Sequence, residues 1–287
     1  MKINLKNRIL IAGLITSFAF TFAYQQKANA GTPHFQKIMT VIFENTDYNP
    51  TMREDYFAFF ASHGALLSNF FGEFHPSQGN YISLITGNNY EVTNDGTTTI
   101  DQLSIIDSLE KKGLTWRVYA EGYPGNCYLK DSGKYVRKHN PFISIANIQT
   151  NPKRCANIVN ASQLAQDIAS GEVTNYSFYI PDLNNDGHDT GVHYSNEWFK
   201  NNFSAYLQDP KFMQGMAVVA TFDEGSYFGG NHIYTAIVGE GIVPGSESNE
   251  RYDHYSLLKM IEDNFSLDSL GQYDETAPPI AGIWQTP

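Results

Sequence analysis

Apolar residues gather along this chain in two rhythms. Lys37–Phe43 (KIMTVIF) is a short β-rich run with almost no polar break, the pattern of a strand covered on both faces of a parallel sheet. Runs at 114–119, 177–180, Met216–Phe222 and 233–238 read as further strands, the second stopped by Pro181. Between them, 52–62, 105–112, 161–170, 196–207 and 255–265 carry helical patterns, with Gly113 and Gly171 as stop signals. Residues 82–86 fit a helix that opens at Ser77. Strands separated by helices predict an α/β fold: a mostly parallel central sheet with helices on both faces. The polar stretch over about 121–155 has no clear period and is expected to be a surface insert or cap beside the sheet. No internal repeat is visible.

The start of the chain changes the count of residues that fold. Lys2, Lys6 and Arg8 precede an apolar stretch from Ile9 to Ala23, and Ala28-Asn29-Ala30 supplies small residues. This is the three-part pattern of an export leader over residues 1–30, and 31–287 is then the folded domain. The apolar run is shorter than the roughly 20 residues that span a bilayer. The mature chain is expected to have no membrane-spanning segment and to be periplasmic or secreted. The net charge of −11 becomes about −15 once four basic leader residues are removed, which argues against a nucleic-acid partner. A phosphate substrate stays open, because a bound cation inverts the local field. Cys127 and Cys155 are the two cysteines; in an oxidising compartment they read as one disulfide, against two buried thiols.

The chemistry-bearing residues fall just after strands. Glu44-Asn45 follows the first, Asp182 follows Ile180-Pro181, and Asp223-Glu224 follows Phe222. Ligands of open α/β sheets bind outside the carboxyl ends of the strands, so three strands would bring acids to one edge. Each motif also has a bland reading. Asn45 could cap a helix, and acids before Gly225 are common in turns. In PDLNNDGHD, Asp182, Asn184, Asp186 and Gly187 match half a calcium loop, but the twelfth position is His193 rather than Glu. His188, His193 and, after FGG, His232 add imidazoles suited to a metal, a phosphoryl oxygen or proton transfer. In HPSQGNY, Ser77 is either the cap of the next helix or a nucleophile, and Asn80 could donate an amide to a phosphoryl oxygen. Spacing leaves the two readings of Ser77 equal.

Taken together, FEN, HPSQGNY with a following TG, PDLNNDGHD, TFDEG with GGNH, and DHYSLLKMIED resemble the bacterial phosphoesterase family of acid phosphatases and phosphatidylcholine-type phospholipases C. That family sits among alkaline-phosphatase-like hydrolases. The resemblance runs from about Ile38 to about Leu270 and implies roles. Glu44, Asn45, Ser77, Asp223 and Glu224 would hold a metal, and Ser77 would be the nucleophile. Asn80 would contact phosphate. His188 and His232 would touch the phosphoryl group or protonate the leaving alkoxide. Asp182, Asp186, Asp189, His193 and His75 are additional site residues. Related two-zinc enzymes carry Asp and His four residues apart after the strand, where this chain has Asp182 and Asp186. They also carry Asp-His in place of Asp223-Glu224. The expectation is therefore one divalent metal ion. Oxygen ligands admit calcium, magnesium or manganese, and histidines admit zinc or iron. Gly79 replaces a proline and is expected to loosen the turn. The implied activity is an acid-phosphatase-like monoesterase working through a phosphoserine on a small phosphate ester or a phospholipid headgroup. A phospholipase C-type diesterase is the alternative, and a non-catalytic, calcium-stabilised binding protein is the competitor from another class.

Overall fold

A computed structural model describes residues 33–286. The leader predicted at 1–30 lies outside the described residues. Among the described residues eleven strands are present: β1 (Lys37–Phe43), β2 (Ala65–Leu67), β3 (Phe70–Phe71), β4 (Trp116–Ala120), β5 (Ile158–Asn160), β6 (Tyr176–Ile180), β7 (Met216–Phe222), β8 (His232–Ile233), β9 (Thr235–Gly239), β10 (Ser246–Ser248) and β11 (Tyr252–Asp253). An 8-stranded sheet has the order β10-β2-β9-β7-β1-β6-β4-β5. From β7 to β5 every neighbouring pair is parallel. Only β9 runs against its neighbours. The α/β expectation is met.

The apolar runs are long because the central strands have no wet face. Every residue of β6 and β7, and all but the first of β1, is buried, so alternate side chains point into two covered layers. On one of them Phe43 and Phe222 meet Phe57 of the helix Asp55–Ser62, and Phe43 also meets Phe199 of the helix Val192–Gln208. The ring pairs sit 5.0–5.5 Å apart in edge-on or tilted contact. The helices Gln78–Thr86 and His254–Phe265 pack on one another. Among the described residues, no helix is long and apolar enough to cross a membrane.

Two elements differ from expectation. The short strands β2, β3, β5, β8, β10 and β11 have no sequence period, since two or three residues cannot display one. The segment 121–155 is set into the core: Tyr135, His139, Phe142, Ile143 and Ile148 are buried, and Cys127–Cys155 is a disulfide with a Cα–Cα distance of 5.4 Å. A surface insert would bury fewer large side chains. Its apolar residues answer to distant partners, so they show no local rhythm.

Candidate active site

Strand order builds the site. β1 lies between β7 and β6, and all three run the same way, so their carboxyl ends are adjacent. Hydrogen bonding continues one step past the strands. Asp223 N donates to Phe43 O at 2.9 Å, and Glu44 N donates to Asp186 O at 2.9 Å. Glu44, Asp223 and Asp186 are thereby carried side by side, each almost wholly buried. Asn45 takes a left-handed backbone (φ 41°), which asparagine tolerates better than most residues, and its N–H donates to Asp223 Oδ1 at 3.2 Å.

Ser77 arrives from the side, at the start of the helix Gln78–Thr86. Its hydroxyl makes no capping bond to that helix. Instead Oγ lies 3.1 Å from Glu44 Oε2, 3.0 Å from Glu224 Oε1 and 3.4 Å from Asn45 Oδ1. The capping reading is thus removed, and Glu44, Asn45, Ser77 and Glu224 meet as expected from the sequence. Gly72 lets this chain segment pass against β7: a Cβ there would stand 2.8 Å from Asp223 O. Gly79 lies inside the helix rather than in a turn, where a Cβ would come 3.0 Å from Val92 O.

Other predicted residues are engaged elsewhere. Asn80 is fully buried, and its side chain serves the backbone that leads to Ser77: Oδ1 accepts from Glu73 N at 3.0 Å and Phe74 N at 2.9 Å, and Nδ2 donates to Phe74 O at 2.9 Å. The amide expected on phosphate is thus a loop brace. His232 stacks between Tyr48 and Phe71, with Nε2 2.8 Å from Ser68 O. His193 is exposed and pairs with Glu54 at 2.9 Å. Asp182 closes a turn by accepting from Asn184 N and Asn185 N at 3.0 and 3.1 Å. Asp189 pairs with Lys134 at 2.7 Å and with His188 Nδ1 at 2.9 Å. His75 does belong to the cluster, since its Nδ1 pairs with Glu224 Oε2, and Tyr227 stacks on its ring at 4.8 Å.

Four residues of the site were given no role by the sequence. His139 lies with Nε2 3.1 Å from Glu44 Oε1 and Nδ1 3.2 Å from Asp186 Oδ2. Both contacts are within ion-pair distance, but neither nitrogen is aligned for a hydrogen bond. Tyr81 donates to Glu44 Oε1 at 2.6 Å and stacks on His139 at 5.0 Å. Lys138 pairs with Asp95 at 2.9 Å, and Asp95 accepts from Gln78 N at 3.1 Å, next to Ser77. Lys138 and His139 come from the segment expected to be a surface insert. The only local hint is the RKH tripeptide in an acidic chain.

The electrostatics follow from burial. Burial pushes the Glu44 carboxyl well above its ordinary range, and Asp223 and Asp186 add to the push. Burial and then Glu224 do the same to Asp223. Asp186 is pushed up to about 7, chiefly by burial. Burial holds His139 well below its ordinary value, with Lys138 and His188 adding, so its ring is neutral. Glu44, His139 and Asp186 offer ligand atoms within 4.8 Å of one another.

Fold and site together define a class: an α/β protein with a mostly parallel sheet and a buried serine ringed by acids at its carboxyl edge. A solved protein of the alkaline phosphatase superfamily from Vibrio parahaemolyticus shares the fold, with a TM-score of 0.60 at 11% identity over 88% of this chain and 72% of that one. The profile of the Phosphoesterase family matches residues 23–268, and the chain belongs to that family. It is 31% identical over 258 residues to a "Probable acid phosphatase" of Kluyveromyces lactis, covering 85% of this chain and 61% of that protein. It is 29% identical over 283 residues to a "Phosphatidylinositol-3-phosphatase" of Mycobacterium tuberculosis, covering 96% and 92%. The chain thus spans about three-fifths of the Kluyveromyces relative. The relatives include fungal proteins beside the mycobacterial one, so the family is broader than the bacterial one expected.

Proposed function

We propose that the chain is an exported, metal-dependent phosphomonoesterase whose nucleophile is Ser77. One observation carries the reading: the Ser77 hydroxyl leaves its own helix uncapped and lies among the oxygens of Glu44, Glu224 and Asn45. A serine hydroxyl has one proton, so it can serve only one of three acceptors at a time. Asp223 Oδ2 and Asp186 Oδ2 are buried nearby without a hydrogen-bond partner. Buried acceptor oxygens with too few donors are costly, and this donor set suits a hard or borderline cation. Glu44, Asn45, Asp223 and Glu224 would hold it. A divalent ion there supplies acidity to the serine hydroxyl and offsets charge on the phosphoryl oxygens.

The chain's own groups do the rest. Glu224 is placed to take the Ser77 proton, with Oε1 3.0 Å from Oγ. The Ser77 oxygen bonds to phosphorus as the ester P–O bond breaks, leaving a phosphoserine and an alkoxide. The alkoxide takes a proton from solvent at the open rim, where His75 is partly exposed. Water then attacks phosphorus and gives its proton to solvent, the phosphoserine P–O bond breaks, inorganic phosphate departs, and Ser77 regains its proton from Glu224. Tyr81 keeps Glu44 oriented through its hydrogen bond to Oε1. The acid phosphatase and phosphatidylinositol-3-phosphatase names of the relatives support a monoester, either free or on a lipid headgroup. The leader pattern and the Cys127–Cys155 disulfide support export.

The test is Ser77→Ala in the purified chain, assayed on p-nitrophenyl phosphate with and without a chelator. Turnover should fall by about 10³-fold or more with unfolding unchanged, and the chelator should silence the wild type. A folded Ser77→Ala protein with near-wild-type turnover overturns the assignment.

A further inference from the structure

The acids of the site explain how a cation would be held but not how a doubly charged substrate would be preferred. With no positive group among them, Glu44, Asp186, Asp223 and Glu224 give an incoming anion nothing of their own to bind. Lys138 is a cation that hydrogen bonds tie to this edge. Its side chain is 17% exposed, unusual for a lysine, so the ammonium is set into the protein rather than waving from it. Asp95 holds it there: one carboxylate oxygen takes Lys138 Nζ at 2.9 Å, and the other takes the backbone N–H of Gln78, the residue after Ser77, at 3.1 Å. The ammonium is therefore tied through one side chain to the position beside the nucleophile. His188 supports it from the other side, with Nε2 3.4 Å from Nζ while Nδ1 faces Asp189. His188 is thus occupied at both nitrogens, which makes it a positioning residue rather than the proton donor expected of it.

An ammonium has three N–H donors. Among the described residues two have partners, Asp95 and His188. We propose that Lys138 uses its remaining N–H to bind a non-bridging phosphoryl oxygen, and so selects phosphomonoester dianions over diesters. Burial works against the charge on Lys138, but the Asp95 hydrogen bond and the charges of Glu44, Asp95 and Asp223 outweigh it, so the group is cationic. Glu44 and Asp223 appear among those charges because the ammonium lies within electrostatic reach of the carboxylates around Ser77. A monoester carries between about 1.5 and 2 negative charges at neutral pH, and a diester carries one. A fixed lysine therefore rewards the oxygen that a diester has esterified. The inference rests on Ser77 being the group that attacks phosphorus.

The experiment uses the full chain loaded with divalent metal, at neutral pH. Wild type, Lys138→Met, Lys138→Arg and Ser77→Ala are compared on p-nitrophenyl phosphate and on bis(p-nitrophenyl) phosphate, with inorganic phosphate as competitive inhibitor. Lys138→Met should lower kcat/KM on the monoester by about 10- to 100-fold, the size of a charge-assisted hydrogen bond, while the diester changes by a few-fold at most. The inhibition constant of phosphate should rise in step, and Lys138→Arg should restore most of both. Equal losses on the two esters, or an unchanged phosphate constant, overturn the assignment. If the wild type does not turn over the diester, the phosphate constant decides alone. If Lys138→Met does not fold, Lys138→Gln makes the same comparison. Monoester turnover that survives in Ser77→Ala sinks the underlying reading. A dead Ser77→Ala beside an unchanged ester ratio in Lys138→Met sinks the lysine alone.

Discussion

Glu262 offers a measurement of burial away from the chemistry. It lies on the helix His254–Phe265, is 3% exposed, and its Oε1 has no hydrogen-bond partner. Burial, with the nearby Asp274 charge adding, raises its pKa from 4.5 to about 8. Asp274 is anchored in place, with Oδ2 accepting from Leu270 N at 2.8 Å and Oδ1 from Gln272 N at 2.9 Å. Below the ordinary value both folded and unfolded chains hold the proton, and the folded state keeps its full advantage. Between 4.5 and about 8 the unfolded chain ionises while the folded one stays neutral, so stability falls as pH rises. At about 1.36 kcal/mol per pH unit, the whole window is worth on the order of 4–5 kcal/mol. That is a large share of a typical folding free energy of about 5–15 kcal/mol. Glu262→Gln keeps the shape and removes the titration. Urea unfolding of both proteins at about pH 4 and about pH 9 isolates the group, because every other ionisable residue is shared. The variant should gain on the wild type by roughly the full window between the two conditions. A difference between the proteins that does not change with pH refutes the reasoning.

Two further outcomes follow from the same structure. Asn80→Ala should cost roughly 2–4 kcal/mol in chemical denaturation, because two partly buried backbone N–H groups lose their acceptor; full stability with lost turnover would return Asn80 to the substrate. Replacing Cys127 and Cys155 by serine frees a loop with a sequence separation of 28, and should cost roughly 3–4 kcal/mol, read as a lower urea midpoint than that of the oxidised wild type.

Much of this protein was legible before folding was considered. The central strands announce themselves because burial on both faces leaves only Lys37, Thr40 and Thr221 polar in Lys37–Phe43 and Met216–Phe222. Their abrupt acidic ends marked Glu44 and Asp223-Glu224, since a parallel sheet places such ends at one edge. Between cap and nucleophile the sequence was silent at Ser77. Local spacing is identical for both roles, and only the position of Glu44 and Glu224 around the hydroxyl separates them.

The histidines show the same limit. His232 and His188 looked alike as imidazoles near acids, but one is clamped between Tyr48 and Phe71 and the other braces a lysine. His139 had no motif at all, because its partners Glu44 and Asp186 lie on other elements and no period links them. By itself the sequence determined the α/β class, the long central strands with their helices, and which strand ends carry acid. Burial and periodicity are local, so they are written in short windows. The tertiary structure alone decided that Ser77 faces carboxylates, that Asn80 braces a loop, and that segment 121–155 delivers Lys138 and His139. Those facts depend on side chains from distant positions meeting within about 3 Å, the range of a hydrogen bond, which no local pattern encodes.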